Sequence, residues 1–206
     1  MMMKSKLQAV FLAVCMVFSG MVMADTEDPI KMLKGVTDSV LKALKENSAA
    51  LDANPHKIYD VVNKLILPYV DFNEMSTWVA GRTVWGKASE TTRDDFVKEF
   101  QVLVVRTYAT ALRNYTNETV YFAPQKVDLT KDRIQITSTI VRTSKENINL
   151  NYRLVKHEDK WLVYDIIIEG VSILQGFQAQ FTNEIRQKGL DKVIAQIKDH
   201  NKKGAA

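Results

Sequence analysis

The apolar positions of this chain change period twice. From residue 29 to about 114 they recur every three or four residues, from 119 to 169 every two, and from 173 onward every three or four again. In 29–47, Ile30, Leu33, Val36, Val40, Leu41 and Leu44 form one helical stripe, and Pro29 suits the first turn. Pro55 opens a second helix that turns Ile58, Val61, Val62, Leu65 and Ile66 inward; Pro68 ends or kinks it. A short helical piece follows from Phe72 to Val79 and breaks at Gly81. Ser89 then caps a long helix to about Asn114, whose stripe includes Phe96, Phe100, Val104, Tyr108, Leu112 and Tyr115. Glu90, Asp94 and Asp95 lie near its positive N-terminal end, where the helix dipole favours them.

Four strands are predicted, at 119–123, 133–142, 147–156 and 160–169. Ile134, Ile136 and Ile140 alternate with Gln135, Thr137 and Thr139. In the third strand Ile148, Leu150, Tyr152 and Leu154 alternate with Asn147, Asn149, Asn151 and Arg153, the pattern of a half-buried strand. The last strand alternates badly. Leu162, Tyr164, Ile166 and Ile168 would share one face, leaving Asp165 and Glu169 on the other with Trp161, Val163 and Ile167. Short polar links at 143–146 and 157–159 suit an antiparallel meander. Ser172-Ile173-Leu174-Gln175 fits a capping box for the next helix, Gly189 stops it, and Leu190, Val193, Ile194 and Ile197 form the stripe of the last. Helices, then strands, then helices, with no repeat or long linker, make one α+β domain.

The amino-terminal stretch stands apart. Lys4 and Lys6 precede an apolar run from Leu7 to Phe18, and Val22-Met23-Ala24 ends it. This is the form of a secretory signal peptide over 1–24, followed by a single domain over 25–206. The run is short for a membrane anchor. Cys15 sits inside it, after the large Val14, and reads as filler rather than a lipoprotein cysteine. Cleavage after Ala24 leaves a chain without cysteine and lowers the formal charge from +4 to +2. Such a domain is stabilised by its core alone, and its weak charge makes no case for nucleic acid. Glycosylation sequons at Asn114 and Asn117 matter only in a eukaryotic secretory pathway, whereas a cysteine-free exported chain points to bacterial export.

Candidate chemistry is sparse. An enzymatic reading makes Asp165 a general base in the mouth of a cone-shaped fold, of the isomerase or dehydratase sort. The alternative pairs Asp165 across the meander with a base such as Arg153, sets Glu169 beside the N-terminus of the next helix and lets Gly170 make the turn. The second is favoured, since catalysis wants a partner group and none is evident. His56, His157 and His200 stand in polar contexts without metal-ligand spacing, and no metal or cofactor is expected. No glycine-rich phosphate loop or nucleophile elbow occurs. What remains is apolar material, which periodicity assigns equally to a solid core or to the wall of a cavity.

Particular residues add to this. Leu67-Pro68-Tyr69-Val70-Asp71, Gly81-Arg82 with Trp85, Ala88-Ser89 with Phe96 and Phe100, and Trp161 through Tyr164-Asp165 to Glu169-Gly170-Val171-Ser172 together resemble the MlaC, or toluene-tolerance, family. The resemblance covers essentially the whole mature chain. It implies a cone-like fold of the nuclear-transport-factor type, an antiparallel meander sheet covered by the N- and C-terminal helices, with an apolar cavity between. It also implies a non-enzymatic periplasmic shuttle, holding phospholipid as cargo and serving outer-membrane lipid asymmetry. The implied partners are an outer-membrane lipoprotein–porin complex and an inner-membrane ABC-transporter complex with an MCE-domain ring. The expected state is a monomer.

By the resemblance, Val171 faces the cavity. Helical spacing from it adds Leu174, with Phe177 or Gln178 next. Tyr164, Ile166 and Ile168 are expected to line it from the sheet, Phe100, Val104, Tyr108 and Leu112 from the long helix, and Ile66 and Tyr69 from the segment around Pro68. The physics suits a carrier: a buried methylene is worth about 0.8 kcal/mol, so exposing two acyl chains of roughly sixteen carbons costs on the order of 20 kcal/mol. A carrier must offer a dry interior, with the charged headgroup left in water.

Overall fold

A computed structural model of the protein describes residues 27–113, 118–143 and 145–203. The expected signal peptide, Cys15, the sequon asparagines and Tyr115 lie outside these residues. Asp28 starts the first helix, α1 (Pro29–Glu46), by accepting the backbone N–H of Ile30 and Lys31. The short α2 (Ser48–Ala53) follows, then a 3-10 turn at Pro55–Lys57 that leads into α3 (Ile58–Leu65). Pro68 turns the chain through a second 3-10 turn, Leu67–Tyr69. Asp71 caps α4 (Phe72–Ala80), and Gly81, at φ 81°, ends it before α5 (Arg82–Lys87). Ser89 caps the long α6 (Glu90–Arg113) by accepting the N–H of Thr92 at 3.1 Å. The short helices α2 and α5 carry no readable stripe of their own, and the apolar period did not reveal them.

Five antiparallel strands follow in meander order: β1 (Thr119–Tyr121), β2 (Arg133–Val141), β3 (Ile148–His157), β4 (Lys160–Ile168) and β5 (Val171–Ser172). The two-residue β5 is too short for an alternation to show. Glu169 and Gly170 both have positive φ, 48° and 81°, as a tight hairpin between β4 and β5 requires. Beyond it run α7 (Ile173–Lys188) and α8 (Leu190–Lys203), divided at Gly189. Ser172 accepts the N–H of Gln175 at 3.0 Å, so the predicted cap forms. The predicted α+β domain with a meander sheet is the observed architecture.

The expected faces of β4 are corrected. Arg153 pairs with Asp165, but the next residue, Leu154, pairs with Val163, so Tyr164 has no partner in β3. This bulge inserts one residue and exchanges the faces beyond it. Cross-strand partners share a face, so Trp161, Val163, Ile166 and Ile168 lie together with β3 residues Leu150, Tyr152 and Leu154. Tyr164 turns to the opposite side, where it joins Val155 and the apolar faces of α4, α6, α7 and α8. The uneven alternation of 161–168 is the sequence trace of that inserted residue.

The apolar interior falls into three clusters. One joins α4, α6, α7 and α8 to Val155 and Tyr164. A second brings Met32 and Leu33 of α1 onto Ile134, Ile136, Leu154, Trp161 and Val163 of the sheet. The third holds α1, α2, α3 and the C-terminal half of α6 together through Val40, Leu44, Leu51, Ile58, Val62 and Ala109. Val36 bridges the second and third, and Leu67 the first and third, both half-buried. At the C-terminus, buried Asn201 donates to the carbonyl and carboxylate of Glu99, both at 2.9 Å, and its own carbonyl accepts from Arg106. Arg106 thus joins α6 to α8.

Gly170 has open space where a Cβ would sit, so its requirement is purely one of backbone conformation. Gly170→Ala is expected to lower unfolding free energy by about 1–2 kcal/mol, the penalty of an L-residue in the left-handed region. Urea denaturation checks this.

Candidate functional site

The sheet face shared by Ile166 and Ile168 is apolar across three strands. Its rows can be read from the register. Val171, Ile168, Leu150 and Ser138 form one row; Ile166, Tyr152 and Ile136 form the next; Val163, Leu154 and Ile134 the third. Burial falls along these rows. Ile136 and Leu154 are fully buried, Leu150, Tyr152, Ile166 and Ile168 are half-buried, and Val171 is 70% exposed. Ile140 and Ile148, paired beyond the first row, are half-buried too. One end of the apolar face is therefore sealed by α1, and the other opens toward solvent at the β4–β5 hairpin. Water meets hydrocarbon there with few polar side-chain atoms, a costly arrangement for a surface with nothing to bind.

The other face of the sheet carries the acids. Asp165 is buried, with both carboxylate oxygens engaged. One accepts the backbone N–H of Leu174 at 3.0 Å; the second accepts the Ser172 hydroxyl at 2.7 Å and the Arg153 guanidinium at 3.2 Å. A negative charge at the N-terminus of α7 is favoured by the helix dipole and by direct bonds to its first free N–H groups. Asp165 therefore ties the bulge to the start of α7. Its charge, together with burial, pushes the Tyr108 phenol above its usual range, burial being the larger cause. Glu169 does not sit at the helix start as expected. Its carboxylate accepts the N–H of Asn149, and its own N–H donates to the Asn149 carbonyl at 3.0 Å, closing the end of the β3–β4 ladder. The positive φ of Glu169 turns it back over that ladder and leaves Asp165 to meet the helix.

A family model described as "MlaC protein" matches residues 34–199. The chain belongs to the MlaC family. Among its relatives, the Pseudomonas putida toluene tolerance protein ttg2D is 26% identical over 170 residues, covering 82% of this chain and 79% of that one. The Haemophilus influenzae intermembrane phospholipid transport system binding protein MlaC is 24% identical over 172 residues, 82% of this chain and 80% of that protein. A phospholipid-binding protein from Ralstonia solanacearum, solved in complex with a phospholipid, matches with a TM-score of 0.78 and 28% identity. That match covers 87% of this chain and 100% of the Ralstonia chain.

Within this MlaC-family fold, the residues expected to contact lipid distribute over the three clusters. Phe100, Val104, Tyr108, Tyr164, Leu174 and Phe177 all belong to the cluster of α4, α6, α7 and α8. There the rings are close-packed: Phe100 stacks on Phe96 with centroids 5.6 Å apart and meets Phe177 edge-on at 5.1 Å. Ile166 and Tyr69 belong to the cluster on the apolar sheet face, while Ile66 and Leu112 flank the third. Ile168 and Val171 lie at the open end, outside all three. Tyr164 is parted from Ile166 and Ile168 by the bulge, so the three do not line one wall as expected. Spacing passed over Ile148, Leu150 and Tyr152. Their strict alternation was visible, and only the register shows that they continue the surface of Ile166 and Ile168.

Two surface hollows lie elsewhere. One, of about 170 Å³, is lined by Tyr59, Asn63 and Gln101 with Val102, Val105 and Arg106; the other lies along α7 and α8 at Lys188, Lys192 and Gln196. Neither touches the sheet. His56 and His200 are exposed, but His157, although largely exposed, places Nε2 2.5 Å from the buried carboxylate of Asp71. That contact joins the β3–β4 turn to the cap of α4, a role its polar context did not announce. Among the described residues no group of three or more His, Cys, Asp or Glu is placed to hold a metal ion, and no helix is long and apolar enough to cross a membrane.

Because Asp165 is buried and its partners are fixed, Asp165→Ala would leave the buried Leu174 N–H and Ser172 hydroxyl without their acceptor and unpair the partly exposed Arg153. A loss of about 3–5 kcal/mol in unfolding free energy is expected, read from denaturant midpoints. A change below about 1 kcal/mol would refute the structural role.

Proposed function

We propose that this MlaC-family chain is a phospholipid carrier of the periplasm. On this reading, residues 1–24 direct export and are removed. The monomeric domain then carries lipid between an outer-membrane lipoprotein–porin complex and an inner-membrane ABC-transporter complex with an MCE-domain ring, maintaining outer-membrane lipid asymmetry. The observation that carries the lipid-binding part is the fold match over the whole of the Ralstonia phospholipid-binding chain. The name of the Haemophilus relative, a binding protein of an intermembrane phospholipid transport system, supports the transport part.

The half-open apolar sheet face gives this reading a physical site. A domain of this size commonly has one contiguous core. Here three clusters meet through half-buried side chains, and the sheet between Leu150 and Val171 leaves hydrocarbon uncovered. Acyl chains laid against Ile148, Leu150, Ile166 and Ile168, and reaching toward Tyr69, Ile66 and Leu112, would cover it. The close-packed rings of Phe100 and Phe177 lie on the opposite side of the sheet and stiffen it rather than contact the lipid. A headgroup near Val171 would stay in water, where its charge is not desolvated. No observation favours the isomerase or dehydratase alternative, since the carboxylate it needs already has its full set of partners.

Protein purified from a bacterial host should carry diacyl phospholipid, detected by native mass spectrometry and by lipid extraction. A chain that emerges empty and takes up no lipid from vesicles would overturn the reading. Val171 is so exposed that Val171→Glu should change the stability of the empty protein by no more than about 0.5 kcal/mol. Its carboxylate would still have to be desolvated beneath a bound chain, at several kcal/mol, so the lipid load should fall at least about tenfold.

A further inference from the structure

In the rows of the apolar face that run through Val171 and Ile166, polar atoms occur on two side chains only, Ser138 and Tyr152. Ser138 is buried and shares a row with Leu150, Ile168 and Val171; Tyr152 stands between Ile136 and Ile166 in the next. The Ser138 hydroxyl donates to the Tyr152 hydroxyl oxygen at 3.3 Å. The Tyr152 ring is held by Phe122, stacked with centroids 6.1 Å apart and an 18° angle between planes. Burial pushes the Tyr152 phenol above its usual range, so it keeps its proton at physiological pH. The pair carries two hydroxyl hydrogens and the bond between them uses one, so one hydrogen is left without an acceptor among the described residues. A donor without an acceptor is costly wherever water is excluded, and Tyr152 stands on the half-buried apolar surface just described.

We propose that the Tyr152 hydroxyl donates its hydrogen bond to an ester carbonyl of the bound phospholipid, with Ser138 as the residue that positions it. This rests on the lipid-carrier reading above. A diacyl lipid offers polar atoms of one kind between its headgroup and its chains, the ester oxygens, and these only accept. They lie immediately below the headgroup. With the headgroup in water beside Val171, they arrive at the level of the row that contains Ser138 and toward which Tyr152 reaches. The pair thus measures depth: it lets the chains slide against the isoleucines while fixing where the glycerol stops. Without it, a purely apolar face would hold a lipid at any depth with nearly equal energy.

The test is competition between dipalmitoyl phosphatidylethanolamine and its dihexadecyl ether analogue for the delipidated full-length mature protein, read by native mass spectrometry. The ether oxygens are poor acceptors, and one neutral hydrogen bond is worth about three- to tenfold in affinity. The wild-type protein should prefer the ester lipid by that factor, and Tyr152→Phe, which keeps the ring, should bind the two nearly equally. A wild-type protein without preference overturns the proposal, and that arm stands even if the variant fails to fold. A preference that survives in folded Tyr152→Phe overturns it too. Failure of the wild-type protein to bind either lipid would instead bring down the carrier reading on which it rests.

Discussion

Tyr164 stands opposite no residue of β3, and much of the molecule follows from that single insertion. Before it, β4 sends Trp161 and Val163 toward α1. After it, Ile166 and Ile168 take the same side, although simple alternation would turn them away. The inserted residue also places Tyr164 and Asp165 together toward the helices. There Asp165 receives Ser172, Leu174 and Arg153 and sets the start of α7. On its outer edge, Val163 accepts the N–H of Asp71 at 2.9 Å, so the segment that caps α4 is docked at the same place. A register slip of one residue would carry the isoleucines to the acid and the acid into hydrocarbon.

The bulge thereby separates two kinds of apolar surface. Toward α4, α6, α7 and α8 the aromatic rings interlock in stacked and edge-on pairs, with Phe177 meeting Phe100, Tyr108 and Phe181. Toward α1 the sheet is closed at one end and half-open at the other, and the open end is built of β-branched and leucine side chains with no aromatic lock beyond Phe122 and Tyr152. Aliphatic surface of this kind accepts a flexible chain without demanding a particular shape from it. Fixed geometry and adaptable contact are thus assigned to opposite sides of one sheet, and the buried carboxylate belongs to the fixed side.

That division bears on how a carrier both holds and releases its cargo. On the proposed reading the contact is mostly hydrophobic, so it would be strong in proportion to area and nearly indifferent to position. Direction and depth must come from polar groups at the rim, which are few here, and from the exposed hairpin of Glu169, Gly170 and Val171. This hairpin is held by the bonds between Glu169 and Asn149 and by the glycine that allows its turn. The most exposed large apolar side chain among those described, Val171, belongs to it.

From the order of amino acids alone, the change from helical to strand period and back determined the α+β class. The caps at Ser89 and Ser172, the stops at Gly81 and Gly189, and the two prolines that start α1 and the turn before α3 were legible for the same reason: each acts on its own few backbone groups. Asp165 was readable as a frame carboxylate because Arg153 sits where a meander would bring it opposite. The short α2, α5 and β5 were not readable, since elements of two to six residues complete no period. Nor were the faces of β4, because an inserted residue shows itself only against the strand it fails to pair with. The grouping of Ile148, Leu150 and Tyr152 with Ile166 and Ile168, and the dispersal of Phe100, Phe177 and Tyr164 to the other side, were likewise decided by register. Local propensity and capping are properties of neighbours in the chain, whereas which apolar side chains become core and which remain open to a ligand depends on what tertiary packing leaves uncovered.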